Sequence, residues 1–159
     1  MVGGTTEFIK SIVFQLANEE YSMPVDLVGS IERVMHITRI PGTPDFVKGV
    51  LNLRGVVTPI IDLRSRFGFE VQEYTDSTRT IIIQHNNMDV GLIVDAAYDV
   101  IDIPKERIEP APETVGSVSI DYIDGVAKHD DRLLILLNID KVLSHEEIKS
   151  TTHSDVQKV

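Results

Sequence analysis

No apolar run in this sequence lasts more than a few residues before Gly, Pro, Asn or Asp stops it. Runs this short, rich in Val, Ile and Leu, build strands more readily than helices. The first is residues 12–16, closed by Asn18-Glu19-Glu20, with Tyr21 to Met23 pairing back as a hairpin. Pro24 to Val28 reads as a short helical turn with Pro24 early in it, and residues 31–37 are extended. Pro41, Gly42 and Pro44 make a rigid loop. Residues 47–53 and 56–61 form two strands around Arg54-Gly55, and Leu63 to Phe67 is one helical turn stopped by Gly68. The pattern then restarts. Residues 80–85 and 90–94 flank the turn Asn86-Asn87, residues 100–103 are extended, and Pro104, Pro110 and Pro112 mark a longer loop. Residues 123–129 and 133–137 flank Asp130-Asp131. A short C-terminal helix is expected after Leu143, where Ser144 precedes Glu146 and Glu147.

The restart has a register. At an offset of 69, Ile12 meets Ile81, Gln15 meets Gln84, Asn18 meets Asn87, Asp26 meets Asp95 and Ile31 meets Val100. At an offset of 76, Gly49-Val50 meets Gly125-Val126, Ile60-Ile61 meets Leu136-Leu137 and Phe67 meets Leu143. The change of offset falls in the Pro-rich loop. Such a pattern points to one β unit present twice, over 12–67 and 81–143 of a single domain at 8–150, with a flexible polar tail at 151–159. Each unit is too small for a large core of its own. The expected fold is all-β: two small barrels packed together along an apolar seam, which also offers a groove.

Composition narrows the function. The chain has 159 residues and a net charge of −10, which argues against nucleic acid and anionic membrane as partners. It has no Cys, so disulfides, thiol nucleophiles and zinc-thiolate sites are excluded. No apolar stretch reaches the ~20 residues of a membrane helix, and MVGGTTEFIK lacks the form of a secretory signal. A cytoplasmic location is expected. His36, His85, His129, His145 and His153 have no metal-ligand spacing, and His85 reads as a solvated residue at a strand end. The pairs Glu19-Glu20, Asp130-Asp131 and Glu146-Glu147 fall at turns or in the tail and read as solvated. Nucleophile-elbow and phosphate-loop signatures are missing. No catalysis, metal or cofactor is expected.

One segment carries more information. In GVLNLRGVVTPIIDLR, residues 49–64, Asn52 and Arg54 interrupt an apolar two-strand unit. Arg54 at a hairpin tip is either solvated or a planar fork for a carboxylate or carbonyl of a partner. This segment closely resembles the signature of the CheW family of bacterial chemotaxis coupling proteins. So do FQLANEEYSMPVDLVGSI, ITRIPGTPDFVKGV, VGLIVDAAYDVIDI, IEPAPE and IDGVAKHDDRLLILLNIDKVL, so that the likeness runs from about Ile12 to Leu143.

The resemblance implies two SH3-like barrels. It implies a non-catalytic adaptor that joins the cytoplasmic hairpin tip of a chemoreceptor to the regulatory domain of the histidine kinase CheA, recruited to receptor clusters at the inner face of the membrane. It places Val28, Ile31, Gly49 and Arg54 on the receptor-facing surface, and Val100 and Ile101 on the kinase-facing one. Ser30 departs from the family, many of whose members have an acidic residue there. Two other readings stay open: an adaptor of another receptor-kinase pathway, such as twitching motility, and an enzyme whose site is spatial rather than sequential.

Overall fold

The structure, a computed structural model, describes residues 7–70, 73–112 and 118–143. Eleven strands follow one another along the described chain: β1 (Phe8–Leu16), β2 (Glu19–Pro24), β3 (Val28–Arg33), β4 (Val47–Leu53), β5 (Val56–Asp62), β6 (Arg79–His85), β7 (Met88–Val94), β8 (Ala96–Pro104), β9 (Ile108–Glu109), β10 (Ile123–His129) and β11 (Arg132–Leu137). One-turn helices α1 (Leu63–Arg66) and α2 (Ile139–Val142) follow β5 and β11. Both are capped at the amino end, α1 by the Asp62 side chain and α2 by that of Asn138. The helix expected from Ser144, Glu146 and Glu147 lies outside the described residues. The extended segment after residue 27 starts and ends earlier than its apolar pattern suggests, at Val28–Arg33. Three-residue 3-10 turns at Lys105–Arg107 and Ile120–Tyr122, and the short β9, were not anticipated.

The strands form two sheets, ordered β8-β1-β2-β11-β10-β9 and β3-β6-β7-β5-β4. Neither sheet is built from one half of the sequence. The β1–β2 hairpin belongs to the sheet of β8 to β11, and the β6–β7 hairpin to the sheet of β3 to β5. The two exchanges have the same register. Ser22 pairs in parallel with Leu136, and Gly91, 69 residues on, pairs in parallel with Ile60, 76 residues back. Ile12 pairs with Val100, as Ile81 pairs with Ile31. Each sheet also rolls up. In one, β8 passes through a single 3-10 turn into β9, at the opposite edge. In the other, Thr38 bridges Val50 of the far-edge strand through two hydrogen bonds of 2.8 and 2.9 Å.

Three apolar clusters result. Val13, Ile103, Ala127, Leu134 and Leu136 fill one rolled sheet, and Leu51, Leu53, Ile60, Ile82 and Ile93 fill the other. Among the described residues a much larger cluster of twenty buried side chains takes residues from both sheets, including Phe14, Tyr21, Ile61, Leu92, Ile135 and Leu137. The apolar seam is therefore the main core rather than an open groove. The reason is size: each rolled sheet is too narrow to enclose more than a few side chains, so most burial has to occur between them.

Candidate functional site

The residues expected on the first docking face sit on one rolled sheet. Val28 and Ile31 lie on β3. Val28 is half-buried against the seam, while Ile31 is 41% exposed although its partner Ile81 is fully buried. Arg54 stands at the β4–β5 tip, where Arg54 and Gly55 both have positive φ, 52° and 86°. Gly55 tolerates this and Arg54 does so at some cost. The tip is fixed by the Gly55 amide donating to Asn52 Oδ1 at 2.8 Å. The Arg54 side chain is 71% exposed and reaches Glu32 Oε2 at 3.4 Å. This contact joins the tip of one edge hairpin to the opposite edge strand. Ser30 pairs with Ile82 on the same strand as Glu32, so the carboxylate that meets Arg54 here stands two residues beyond Ser30.

Gly49 is not on this surface. It is buried at a β-bulge, with φ +143°, and a Cβ there would lie 2.0 Å from the Thr38 carbonyl oxygen. Gly125 repeats the arrangement: at the matching bulge, a Cβ would lie 2.7 Å from the Glu109 carbonyl oxygen. Both glycines let the chain that closes each rolled sheet approach the strand beneath.

Of the two residues expected on the second face, Val100 is exposed and Ile101 is not. Val100 on β8 is 55% exposed, whereas Ile101 turns inward and packs against the Val13–Leu134 cluster. Strand geometry requires this, since consecutive residues point to opposite sides. Beside Val100, the Arg132 guanidinium holds Glu20 in a two-pronged contact at 3.0 and 2.7 Å and Asp99 at 3.1 Å. The exposed Tyr98 hydroxyl donates to Glu20 at 2.6 Å. Glu20 is thus not the freely solvated carboxylate its turn position suggests. The Arg132 hydrogen bonds hold it below the ordinary carboxylate range, against the opposing effect of burial. Burial and the bond to Glu20 push the Tyr98 phenol up to about 12.

Two further polar contacts were not legible in the sequence. Arg64, 2% exposed, bonds Asp62 at 2.9 Å and Asp95 at 3.2 Å, and the Ala17 amide donates to the same Asp95 carboxylate at 2.7 Å. This chain of contacts ties α1 to the β1–β2 turn of the other sheet. His85, expected to be solvated, has a side chain only 11% exposed, and its Nε2 lies 2.9 Å from Asp140 on α2. The strand end it occupies is covered by the second helical turn. Among the described residues no group of three or more His, Asp or Glu could hold a metal ion, and no helix is long and apolar enough to cross a membrane.

The comparisons agree with one another. The model of the CheW-like domain matches residues 10–147. The chain is similar to the chemotaxis protein CheW of Bacillus subtilis, 44% identical over 141 residues that cover 89% of this chain and 90% of that one. It is also similar to the chemotaxis protein CheW of Klebsiella aerogenes, 40% identical over 147 residues, 92% of this chain and 89% of that one. Its fold is similar to that of the crystallised scaffolding protein TtCheW of Thermoanaerobacter tengcongensis. The TM-score is 0.81 at 35% identity, over 87% of this chain and 94% of that one.

Proposed function

The chain belongs to the CheW family, whose members are chemotaxis scaffolds and adaptors, and on that footing we propose that it bridges the cytoplasmic hairpin tip of a chemoreceptor and the regulatory domain of the histidine kinase CheA. The observation that supports this reading is the placement of two exposed apolar residues on different sheets. Ile31 lies on β3, in the sheet that carries Arg54, and Val100 on β8, beside the Arg132 cluster. Two partners can then be held at once. The receptor face comprises Ile31 and Arg54, with Val28 at its margin; Gly49 acts from beneath through the backbone it supports. The kinase face comprises Val100, and Ile101 supports it from the core.

A rigid pair of rolled sheets suits this work, because a preorganised surface loses little conformational freedom on binding. The same reading holds that the halves are two copies of one unit, that the adaptor acts at receptor clusters inside the cell, and that it needs no metal, nucleotide or catalytic step. Pull-down of the purified chain with a CheA fragment and a receptor signalling domain tests the bridge. Both should be retained, separately and together. Failure to retain either one rejects the reading. A saturable thermal shift with ATP, GTP, NAD, zinc or magnesium ions would count against a pure adaptor.

A further inference from the structure

The loop between β3 and β4, residues 34–46, walls a groove of about 790 Å³ that neither docking face uses. Its floor is apolar: Met35 and Ile37 pack on the inner cluster of their sheet, and Val47 lies at the base with 5% exposure. Its wall is fixed. Thr38 is held by the two bonds to Val50, the Thr43 hydroxyl donates to the Ile40 carbonyl at 3.0 Å, and the Val47 amide donates to the Pro44 carbonyl at 2.9 Å. Pro41 and Pro44 restrict the backbone further.

The charge of the lining runs against that of the molecule. Arg39, Lys48 and His36 line the groove against Asp45 alone, in a chain of net charge −10. Among the described residues, neither Arg39 nor Lys48 takes part in an ion pair. Lys10, Arg33, Arg107 and Lys128 likewise take part in no ion pair among the described residues, so what distinguishes the groove is that two cations and a histidine line it against a single carboxylate. Two cations gathered over a groove with an apolar floor and a polar rim offer charge complementarity to an acidic segment outside the chain.

We propose that this groove is a docking site for an extended acidic peptide segment of a partner protein, with carboxylates on Arg39 and Lys48 and an aliphatic side chain between Met35 and Ile40. The proposal goes beyond the receptor and kinase faces and needs neither. A channel with fixed walls selects an extended segment over a flat protein face. Charge complementarity at its rim speeds encounter and excludes basic competitors.

Fluorescence anisotropy on the full chain tests it. The probes are a fluorescein-labelled Glu-Asp-Leu-Glu-Asp-Leu-Glu peptide, its neutral Gln-Asn-Leu-Gln-Asn-Leu-Gln counterpart and a labelled oligothymidylate. The acidic peptide should bind saturably and about tenfold more tightly than either comparator. The double variant Arg39→Glu/Lys48→Glu should weaken it by about tenfold or more with an unchanged melting temperature. If the double variant does not fold, Arg39→Gln with Lys48→Gln takes its place, and the peptide's affinity should fall in it likewise. Lack of saturable binding, or binding untouched in the folded double variant, overturns the proposal. Equal binding of the oligothymidylate also overturns it, by showing a general polyanion patch.

Discussion

Ile31 and Val100 occupy the same register position in two different sheets, each exposed and each paired with a buried isoleucine, Ile81 for one and Ile12 for the other. They lie 69 residues apart and follow equivalent bulges, between Val28 and Ser30 on β3 and opposite Val13 and Phe14 on β8. The surfaces proposed for the two partners thus occupy equivalent register positions and differ in their surroundings: Arg54 and Glu32 beside one, Tyr98 and the Arg132 cluster beside the other.

Arg54→Ala should fold normally and fail in coupling. The side chain is 71% exposed and its pair with Glu32 is long, so the stability cost is about 0.5 kcal/mol or less. Binary binding to CheA should persist, and receptor-dependent kinase activation should be lost in reconstitution. Full activation would remove Arg54 from the receptor face.

Gly49→Ala should destabilise by about 2–4 kcal/mol, because its Cβ meets the Thr38 carbonyl and its φ is positive. Gly125→Ala, whose Cβ would meet the Glu109 carbonyl at 2.7 Å without a positive φ, should cost less than Gly49→Ala. Gly42→Ala, where nothing lies within 4 Å, should cost only about 1 kcal/mol for its positive φ. Urea unfolding of the three variants measures the ranking.

Val100→Asp and Ile101→Asp should separate binding from folding. Val100 is exposed, so its variant should keep its melting temperature and bind CheA less tightly. Ile101 faces an inner cluster, so its variant buries an unpaired carboxylate and should lose stability by about 3 kcal/mol. Circular dichroism and titration calorimetry distinguish the two. An Ile101→Asp protein as stable as the parent would show that the side chain points outward.

Glu20 contributes a pH-dependent stability. Its carboxyl titrates below its ordinary value of 4.5 in the folded state, through the bonds from Arg132. The contribution is complete above the ordinary value and disappears as pH falls through the lower folded value. Glu20→Gln and Arg132→Met should each lower stability at neutral pH and flatten its decline on acidification. An acid limb as steep as the parent's in Glu20→Gln would exclude this carboxylate as a source.

The strands were legible because β-branched runs and turn residues are local signals, and the correspondence of Gly49 with Gly125 because it falls at a fixed offset, though not the bulges that the two glycines occupy. Which hairpin joins which sheet was not legible. Both arrangements put the same side chains in an apolar face, and only the chain's return path chooses between them. At the first face, Arg54 could be placed from its turn. Gly49 could not, since its burial depends on Thr38, eleven residues away and outside any regular strand. The inward turn of Ile101 follows from parity with Val100 and could have been read from the sequence. Arg64 could not, because nothing in Asp62-Leu63-Arg64 reveals that Asp95 comes to meet it.

The exchanged hairpins bear on how such a protein can be divided. Residues 7–70 alone would hold a β1–β2 hairpin with no sheet to join and a three-strand remnant lacking its centre, and the rest of the chain would be incomplete in the same way. Neither piece can fold as a unit, yet each contains what the other lacks. A cut between Glu70 and Glu73 therefore yields a natural complementation pair, two disordered fragments that should gain structure on mixing and regain coupling activity only together.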